Sequence, residues 1–379
     1  MSDPQQPVAV TGAWRVGDPV GHRRFVTVFE RGLDLEIGGA FGAVTVAYET
    51  WGTLNPRRDN AVLVLHALTG DSHAAGDRDD AHPTPGWWDA VIGPGRAIDT
   101  DRYFVVAPNV FGGCQGTTGP SSPDANGSPY GSTFPTITVR DQVEVEIALA
   151  DALGIDRFHA VVGGSMGGMR ALEWAVMRPD RVARLVVIGV GAYATAEQIA
   201  IQTNQIRTIE LDPAYDNGDY YDRKPGAGPW RGLSIARAAA QISYRSELEF
   251  AERFGRAAQD GEDPRLGGRY AIESYLEYHG EKLARRFDAN SYVVLTVAMN
   301  HHDVGRDRGG IDRALDRITA ETTVVGIDSD RLYPPRLQRE LANLIPTARP
   351  LEIIHSPYGH DAFLVEYDQV SAILRGALQ

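Results

Sequence analysis

Gly163-Gly164-Ser165-Met166-Gly167 fits the pattern G-x-S-x-G, and its surroundings decide the fold of this chain. Residues 158–162 before it are predicted to form a buried strand, and residues 169–177 after it a helix. A serine between a strand and a helix sits in a tight, strained turn that presents its hydroxyl at the carboxyl end of the sheet. Glycines two positions to either side leave room for that turn. We predict that Ser165 is a nucleophile, with a plain glycine turn as the alternative.

The rest of the chain alternates short β-branched runs with helical patterns, which is typical of a mostly parallel sheet covered by helices on both faces. Strands are predicted at residues 61–65, 104–107, 184–188, 322–327 and 351–354, and a capping box at residues 138–141 begins a helix. From residue 191 to 312 apolar residues recur at helical spacing. The sequence therefore predicts an α/β core of residues 1–190 and 313–379, with an inserted helical lid of residues 191–312.

The composition is that of an ordinary globular protein, with 43% hydrophobic and 23% charged residues. Fifty acidic residues against 37 Lys and Arg give a formal charge of -13, which makes nucleic acid and anionic membranes poor candidates for partners. The single cysteine, Cys114, excludes an intrachain disulfide. Residues 1–7 are polar and no apolar run reaches the about 18 residues of a membrane helix, so we expect a cytoplasmic protein.

A serine nucleophile needs a base, and the base needs an acid that orients it. In this type of sheet both are expected on loops that follow later strands. His360 lies beyond the last predicted strand, whereas His355 is too close to the end of that strand to reach the serine. Asp328 and Asp330 compete for the role of the acid. We favour Asp330 because it stands four residues before Pro334, and a catalytic role for Asp328 stays open.

The negative charge of a tetrahedral intermediate needs two backbone N–H donors. One is expected from Met166, directly after the nucleophile, and the other from Leu68, in the loop after the strand at residues 61–65. We interpret His66, in the same loop, as structural. His301-His302-Asp303 lacks a third ligand at helical spacing, so no metal site is predicted.

Several segments are more specific than G-x-S-x-G, and they occur in one order: His66–Gly70, Gly86–Asp89, Gly112–Pro120, Gly163–Gly168, Gly232–Arg237, Phe287–Tyr292, Ser329–Pro334 and Gly359–Leu364. With these segments, from about residue 51 to residue 365, the chain resembles the homoserine O-acetyltransferase family, whose members have the α/β-hydrolase fold. The resemblance implies acetyl transfer from acetyl-CoA to the hydroxyl of L-homoserine in methionine biosynthesis. It also implies a ping-pong route through an acetyl-Ser165 intermediate.

The resemblance assigns substrate contacts as well. Arg237 is at the position where the family holds the homoserine carboxylate, and Asp361 matches the acid that holds the ammonium, so the two would clamp a zwitterion. The resemblance implies no bound cofactor, since acetyl-CoA is a co-substrate, and a homodimer formed through the lid. We expect Cys114 to be a packed residue. The sequence does not identify the Arg and Lys residues that would meet the CoA phosphates.

Other donors and acceptors remain open, because the triad alone does not select them. Succinyl transfer to homoserine and acetyl transfer to serine would use the same residues. With water as the acceptor, the triad would make an esterase or a thioesterase, which has no need for the pair of Arg237 and Asp361. A binding protein without activity is disfavoured because Ser165, Asp330 and His360 are all present.

Overall fold

A computed structural model describes residues 7–379, so the first six residues of the polar N-terminal stretch lie outside the described part. An eight-stranded sheet forms the centre, in the order β1-β2-β4-β3-β5-β6-β7-β8. Its strands are β1 Arg24–Val28, β2 Val44–Trp51, β3 Ala61–Leu65, β4 Phe104–Pro108, β5 Ala160–Gly164, β6 Arg184–Ile188, β7 Glu321–Ile327 and β8 Glu352–Ile354. Strand β2 runs antiparallel to both of its neighbours, and the other neighbouring strands are parallel.

Helices cover the sheet and fill the chain between β6 and β7. They are α1 Val139–Ala152, α2 Met166–Met177, α3 Ala196–Glu210, α4 Trp230–Tyr244, α5 Glu247–Arg253, α6 Ala271–Ala284, α7 Ala289–Asn300, α8 Ile311–Leu315, α9 Pro335–Leu344 and α10 Tyr367–Ala377. The predicted capping box begins α1, since Thr138 accepts from the N–H of Asp141 and Asp141 accepts from the N–H of Thr138. Within residues 7–379, none of these helices has both the length and the apolar character needed to cross a bilayer. The cytoplasmic location stays a prediction.

The predicted lid of residues 191–312 contains helices α3 to α7 and, within the described residues, no strand, and its boundary at residue 312 falls inside α8. Helix α4 lies at its centre and packs against both α3 and α6. The helical character of residues 191–312 thus agrees with the sequence pattern. The division into a core and a lid stays a prediction.

The centre of the sheet is buried on both faces. All residues of β3 and β5 are buried, and neighbouring residues belong to apolar clusters on opposite faces, with Leu63 on one and Val62 on the other. Parallel strands covered in this way have continuous apolar sequences, which explains why they were recognisable. Loops at the carboxyl ends of these strands therefore rest on a rigid support.

Two elements extend closer to Ser165 than the sequence predicted. Strand β5 is Ala160–Gly164 rather than residues 158–162, and Phe158 makes only an isolated bridge to Val182. Helix α2 begins at Met166 rather than at Met169. The prediction stopped short because glycines have weak propensities for both strand and helix. The tight turn leaves no loop between the two elements.

Candidate active site

Ser165 lies between β5 and α2 with φ +56° and ψ −125°, a conformation that L-residues rarely adopt. The close approach of neighbouring backbone segments explains why the positions two residues before and after Ser165 are glycines. A Cβ atom at Gly163 would lie 2.1 Å from the carbonyl oxygen of Gly167, and one at Gly167 would lie 2.0 Å from that of Leu65. No side chain fits at either position, so the predicted strand–turn–helix corner is present.

Asp330 and His360 form a buried pair next to this corner. Oδ2 of Asp330 accepts a hydrogen bond from Nδ1 of His360 at 2.6 Å. Its Oδ1 accepts from the backbone N–H groups of Leu332 and Tyr333, both at 2.8 Å. The carboxylate is held at both oxygens, so it fixes the imidazole tautomer that leaves Nε2 with a lone pair. In the described part of the chain, this buried Nε2 has no hydrogen-bond partner.

Ser165 and His360 both lie next to the end of β6, at one edge of the sheet. The N–H of Ser165 donates to the carbonyl oxygen of Ile188 at 2.9 Å. A Cβ atom on the next residue, Gly189, would lie 3.2 Å from Cε1 of His360. The bond between Oγ of Ser165 and Nε2 of His360 is not formed, which is common in active sites without substrate. The structure therefore pairs Asp330 with His360 and places Ser165 at the same edge of the sheet, while the catalytic roles of the three residues stay a prediction.

The environment of His360 favours its protonated form. Burial disfavours the charged imidazole, but the negative charge of Asp330, its hydrogen bond and the charge of Asp361 outweigh that effect, so the pKa of His360 is raised above 6.5. Its ring also stacks on Tyr333, with centroids 5.0 Å apart. Such an imidazole can accept and return a proton near neutral pH.

Asp328 and His355, the two competitors that the sequence left, form a separate pair. Oδ2 of Asp328 lies 2.9 Å from Nδ1 of His355, and the His355 side chain is 77% exposed. This pair lies at the end of β8 and faces solvent. The structure therefore leaves Asp330 with the buried histidine and Asp328 with the exposed one.

The two expected oxyanion donors have suitable positions. Met166 is the first residue of α2, so its N–H has no partner within the helix and lies at the positive end of the helix dipole. Leu68 follows β3, and in the described part its N–H makes no hydrogen bond. His66 accepts from the N–H of Val110 through Nε2 at 3.1 Å, and burial lowers its pKa to about 3. This agrees with a structural His66.

Arg237 and Asp361, the two predicted substrate contacts, lie in different parts of the chain. Arg237 is on the lid helix α4, and Asp361 is in the loop of His360. The guanidinium of Arg237, on α4, lies 5.2 Å from the ring centre of Tyr244, whose ring is 6.0 Å from that of His360. Asp361 adjoins His360 in sequence, and its Oδ2 is 3.5 Å from Nη1 of Arg245. Tyr244 and Arg245 were missed because they follow the recognisable segment that ends at Arg237.

A pocket of about 280 Å³ opens beside Arg237. Its wall includes three further cations, Arg23, Lys282 and Arg286, of which Arg286 lies 3.5 Å from Asp71. These residues come from distant parts of the sequence. Only the spacing of four residues between Lys282 and Arg286 could have indicated that two of them lie near each other. The pocket is locally basic in a chain of net charge -13, so it favours anionic ligands.

One cluster in residues 7–379 could offer three metal ligands, namely Glu49, His73 and His82, whose ligand atoms lie within 4.8 Å of one another. The two imidazoles are stacked, with centroids 4.0 Å apart and planes 11° apart. Nδ1 of His73 and Nε2 of His82 lie 3.1 Å and 3.2 Å from the two oxygens of Glu49, so each of these nitrogens already faces the carboxylate. The cluster is better described as a buried ion pair with hydrogen bonds. In the segment His301-His302-Asp303, for which the sequence predicted no metal site, the ring of His302 is hydrogen-bonded to the carbonyl oxygen of Gly191.

Cys114 is buried, and burial raises the pKa of its thiol to about 12. Reactive cysteines have lowered pKa values and partial exposure. The structure therefore agrees with a packed, unreactive Cys114.

Known proteins resemble this chain over most of its length. A family model described as the alpha/beta hydrolase fold matches residues 60–367. A homoserine O-acetyltransferase from Thermobifida fusca is 58% identical over 376 residues, which cover 99% of each chain. The crystal structure of a homoserine O-acetyltransferase from Bacillus anthracis has a TM-score of 0.85 at 27% identity, covering 94% of this chain and 98% of that one. The esterase E22 has the same TM-score at 29% identity, covering 94% and 99%.

Proposed function

The chain belongs to the homoserine O-acetyltransferase family of α/β-hydrolase-fold enzymes, and on that premise we propose which of its residues transfer acetyl from acetyl-CoA to L-homoserine. The observation that carries the proposal is the buried pair of Asp330 and His360, in which Nε2 of His360 has no hydrogen-bond partner among the described residues, at the sheet edge that carries the strained Ser165. Such an arrangement activates a hydroxyl for acyl transfer.

In the first half-reaction, Nε2 of His360 takes the proton of the Ser165 hydroxyl while Oγ attacks the thioester carbonyl of acetyl-CoA. The N–H groups of Leu68 and Met166 stabilise the oxyanion. Asp330 keeps the imidazolium oriented and stabilises its charge. The intermediate then collapses, the C–S bond breaks, and CoA leaves as a thiol with the proton from the imidazolium. The product of this step is acetyl-Ser165.

In the second half-reaction, His360 takes the proton of the homoserine hydroxyl, and the resulting oxygen attacks the acetyl carbonyl. Ser165 leaves and recovers its proton. Arg237 would bind the substrate carboxylate with two parallel hydrogen bonds. Asp361 would bind the ammonium while it keeps its ion pair with Arg245, whose Nη1 lies 3.5 Å away. This orientation favours homoserine over water as the acceptor.

We propose that the donor binds with its phosphates at the basic pocket beside Arg237. Arg23, Lys282 and Arg286 line it, and their charges would attract the phosphates of acetyl-CoA. We therefore propose acetyl-CoA as a co-substrate that enters here, with no resident cofactor.

The proposed homodimer would use the lid. Ile199 on α3 is 38% exposed, and Ile235 and Ile242 on α4 are 60% and 46% exposed, so the lid presents apolar side chains to solvent. Light scattering after size exclusion should give a dimer mass. Ile235→Asp should lower that mass, whereas Leu266→Asp, at an exposed apolar residue outside these helices, should not. A monomeric native protein would contradict this proposal.

Intact-mass measurement after mixing with acetyl-CoA alone tests the mechanism. We expect one added acetyl group in the native protein and none in Ser165→Ala. Succinyl-CoA in place of acetyl-CoA tests the donor, and a clear preference for succinyl-CoA would contradict the proposal. Homoserine should accelerate CoA release. If it does not, and acetyl esters are hydrolysed quickly, water is the acceptor and the enzyme acts as an esterase, as the E22 neighbour does by name.

A further inference from the structure

The two proposed oxyanion donors belong to different elements, and one buried side chain joins those elements. Arg170 lies on α2, five residues after Ser165, and is 0% exposed. Its Nη2 donates to the carbonyl oxygen of His66, in the loop that carries Leu68. Its Nη1 pairs with Oε1 of Glu146 on α1 at 2.6 Å. Arg170 therefore links the helix of Met166 to the loop of Leu68.

The direction of the Leu68 N–H is fixed by a second contact in this loop. His66 accepts from the N–H of Val110 through Nε2, so its proton is on Nδ1, which donates to the carbonyl oxygen of Ala67 at 2.7 Å. The N–H of Gly70 donates to the same oxygen at 2.9 Å. In a trans peptide the C=O and the following N–H point in opposite directions. Two donors on the Ala67 carbonyl thus leave the N–H of Leu68 facing away from His66.

We propose that Arg170 is a positioning residue, which holds the Leu68 and Met166 N–H groups at the spacing that one oxyanion requires. Glu146 holds the guanidinium, and His66 sets the direction of the Leu68 donor. This inference rests on the proposed function, because it places an oxyanion between these two N–H groups. Removal of one oxyanion donor costs about 10²–10³-fold in kcat in other enzymes. Displacement of a donor that remains present should cost less, about 10–100-fold.

A purely structural role for Arg170 makes a different prediction. Loss of a core contact would lower the stability of the protein but would not change the preference of the folded site for a tetrahedral anion. The decisive readout is therefore the affinity of the folded enzyme for methylboronic acid, which forms a tetrahedral anionic adduct with an activated serine.

The main variant is Arg170→Met combined with Glu146→Gln. Both charges of the buried pair leave together, so no uncompensated charge stays in the core. The amide introduced by Glu146→Gln keeps an oxygen that can accept from Nε1 of Trp174, the second contact of Glu146. A second variant, Arg170→Lys, keeps the pair with Glu146 but is too short to hold the His66 carbonyl as well. Arg178→Met with Glu144→Gln is the control for loss of an ion pair between these helices, because this partly exposed pair at 3.1 Å joins the end of α2 to α1 without reaching the loop.

We expect the affinity for methylboronic acid and the rate of Ser165 acetylation to fall together, by about 10–100-fold, in both Arg170 variants. The KM values for acetyl-CoA and homoserine should change less than threefold, and the control should match the native protein. Unchanged boronate affinity in a folded Arg170 variant would overturn the inference. If the native protein is not acetylated by acetyl-CoA but boronate affinity still falls in the variants, the proposed function fails and the inference stands. If the native protein is acetylated but boronate affinity is unchanged in the variants, the inference fails and the proposed function stands.

Discussion

Asp330 and His360 are 30 residues apart in sequence, and their side chains meet at 2.6 Å in a fully buried contact. Two residues earlier on the same loop, Asp328 meets His355 at 2.9 Å in solvent. These two acid–histidine pairs share the same contact, Nδ1 to Oδ2, and differ in burial. Because burial strengthens electrostatic interactions, only the first pair can stabilise an imidazolium effectively.

This difference gives a matched mutational test of the triad. Asp330→Asn should lower kcat by about 10⁴-fold, because the amide favours the wrong imidazole tautomer. Asp328→Asn should leave kcat within about twofold, since its partner is exposed and away from the serine. Steady-state kinetics with acetyl-CoA and homoserine measure both values. Equal losses in the two variants would remove the distinction between the pairs.

Much of this fold was readable in the sequence because its central strands are buried on both faces. Residues 61–65 and 184–188 were predicted with the bounds that the structure has, since the first is a continuous apolar run and the second is apolar after Arg184. The order of Ser165, Asp330 and His360 followed from the way successive parallel strands end at one edge of a sheet. Local and topological rules therefore sufficed for the scaffold and the reacting residues.

The surroundings of the triad could not be read in the same way. Arg245 meets Asp361 across 116 residues of sequence, and Arg23 shares a pocket with Lys282 across a longer interval. Such contacts depend on how the helices of the lid pack onto the core, and no local pattern encodes that packing. Side-chain pairs of this kind need coordinates.

The pH dependence of acetylation should report the raised pKa of His360. Burial alone would lower this pKa, but the charge and hydrogen bond of Asp330 raise it above 6.5. A general base must be neutral, so the rate of Ser165 acetylation should increase with pH and reach half of its maximum above pH 6.5. Stopped-flow measurement of CoA release without homoserine isolates this step. A rate that falls or stays constant between about pH 5.5 and 8.5 would contradict His360 as the base.

Arg237 should act on homoserine rather than on the chemistry of the donor. Arg237→Lys should raise the KM for homoserine about tenfold, because an ammonium cannot make two parallel hydrogen bonds to a carboxylate. The rate of Ser165 acetylation by acetyl-CoA should change little. Arg231→Lys on the exposed side of the same helix is the control and should leave both constants unchanged. An unaltered KM in Arg237→Lys would place the carboxylate elsewhere.

The cations of the pocket should act on the donor instead. Lys282→Ala and Arg286→Ala should each raise the KM for acetyl-CoA about three- to tenfold, since each removes an attraction of roughly 1 kcal/mol to the phosphates. The effect should shrink as salt is added, because exposed charges are screened. The KM for homoserine is the internal control. Equal increases in both KM values would indicate a general disturbance of the site.

Glu49 should matter for stability, through its buried contacts with His73 and His82. Burial would raise its pKa, but the contacts with His73 and His82 and the hydrogen bond from Ser72 outweigh that effect and lower the pKa to about 2, from an ordinary value near 4.5. The stabilisation is therefore complete above pH 4.5 and is lost as the pH falls through 2, and it amounts to about 3 kcal/mol. Glu49→Gln should lower the free energy of unfolding at pH 7 by that amount in urea denaturation. Glu321→Gln, which breaks the exposed pair with Arg349, should cost less than about 1 kcal/mol. Equal costs in the two variants would show that the buried cluster contributes no more than a surface ion pair.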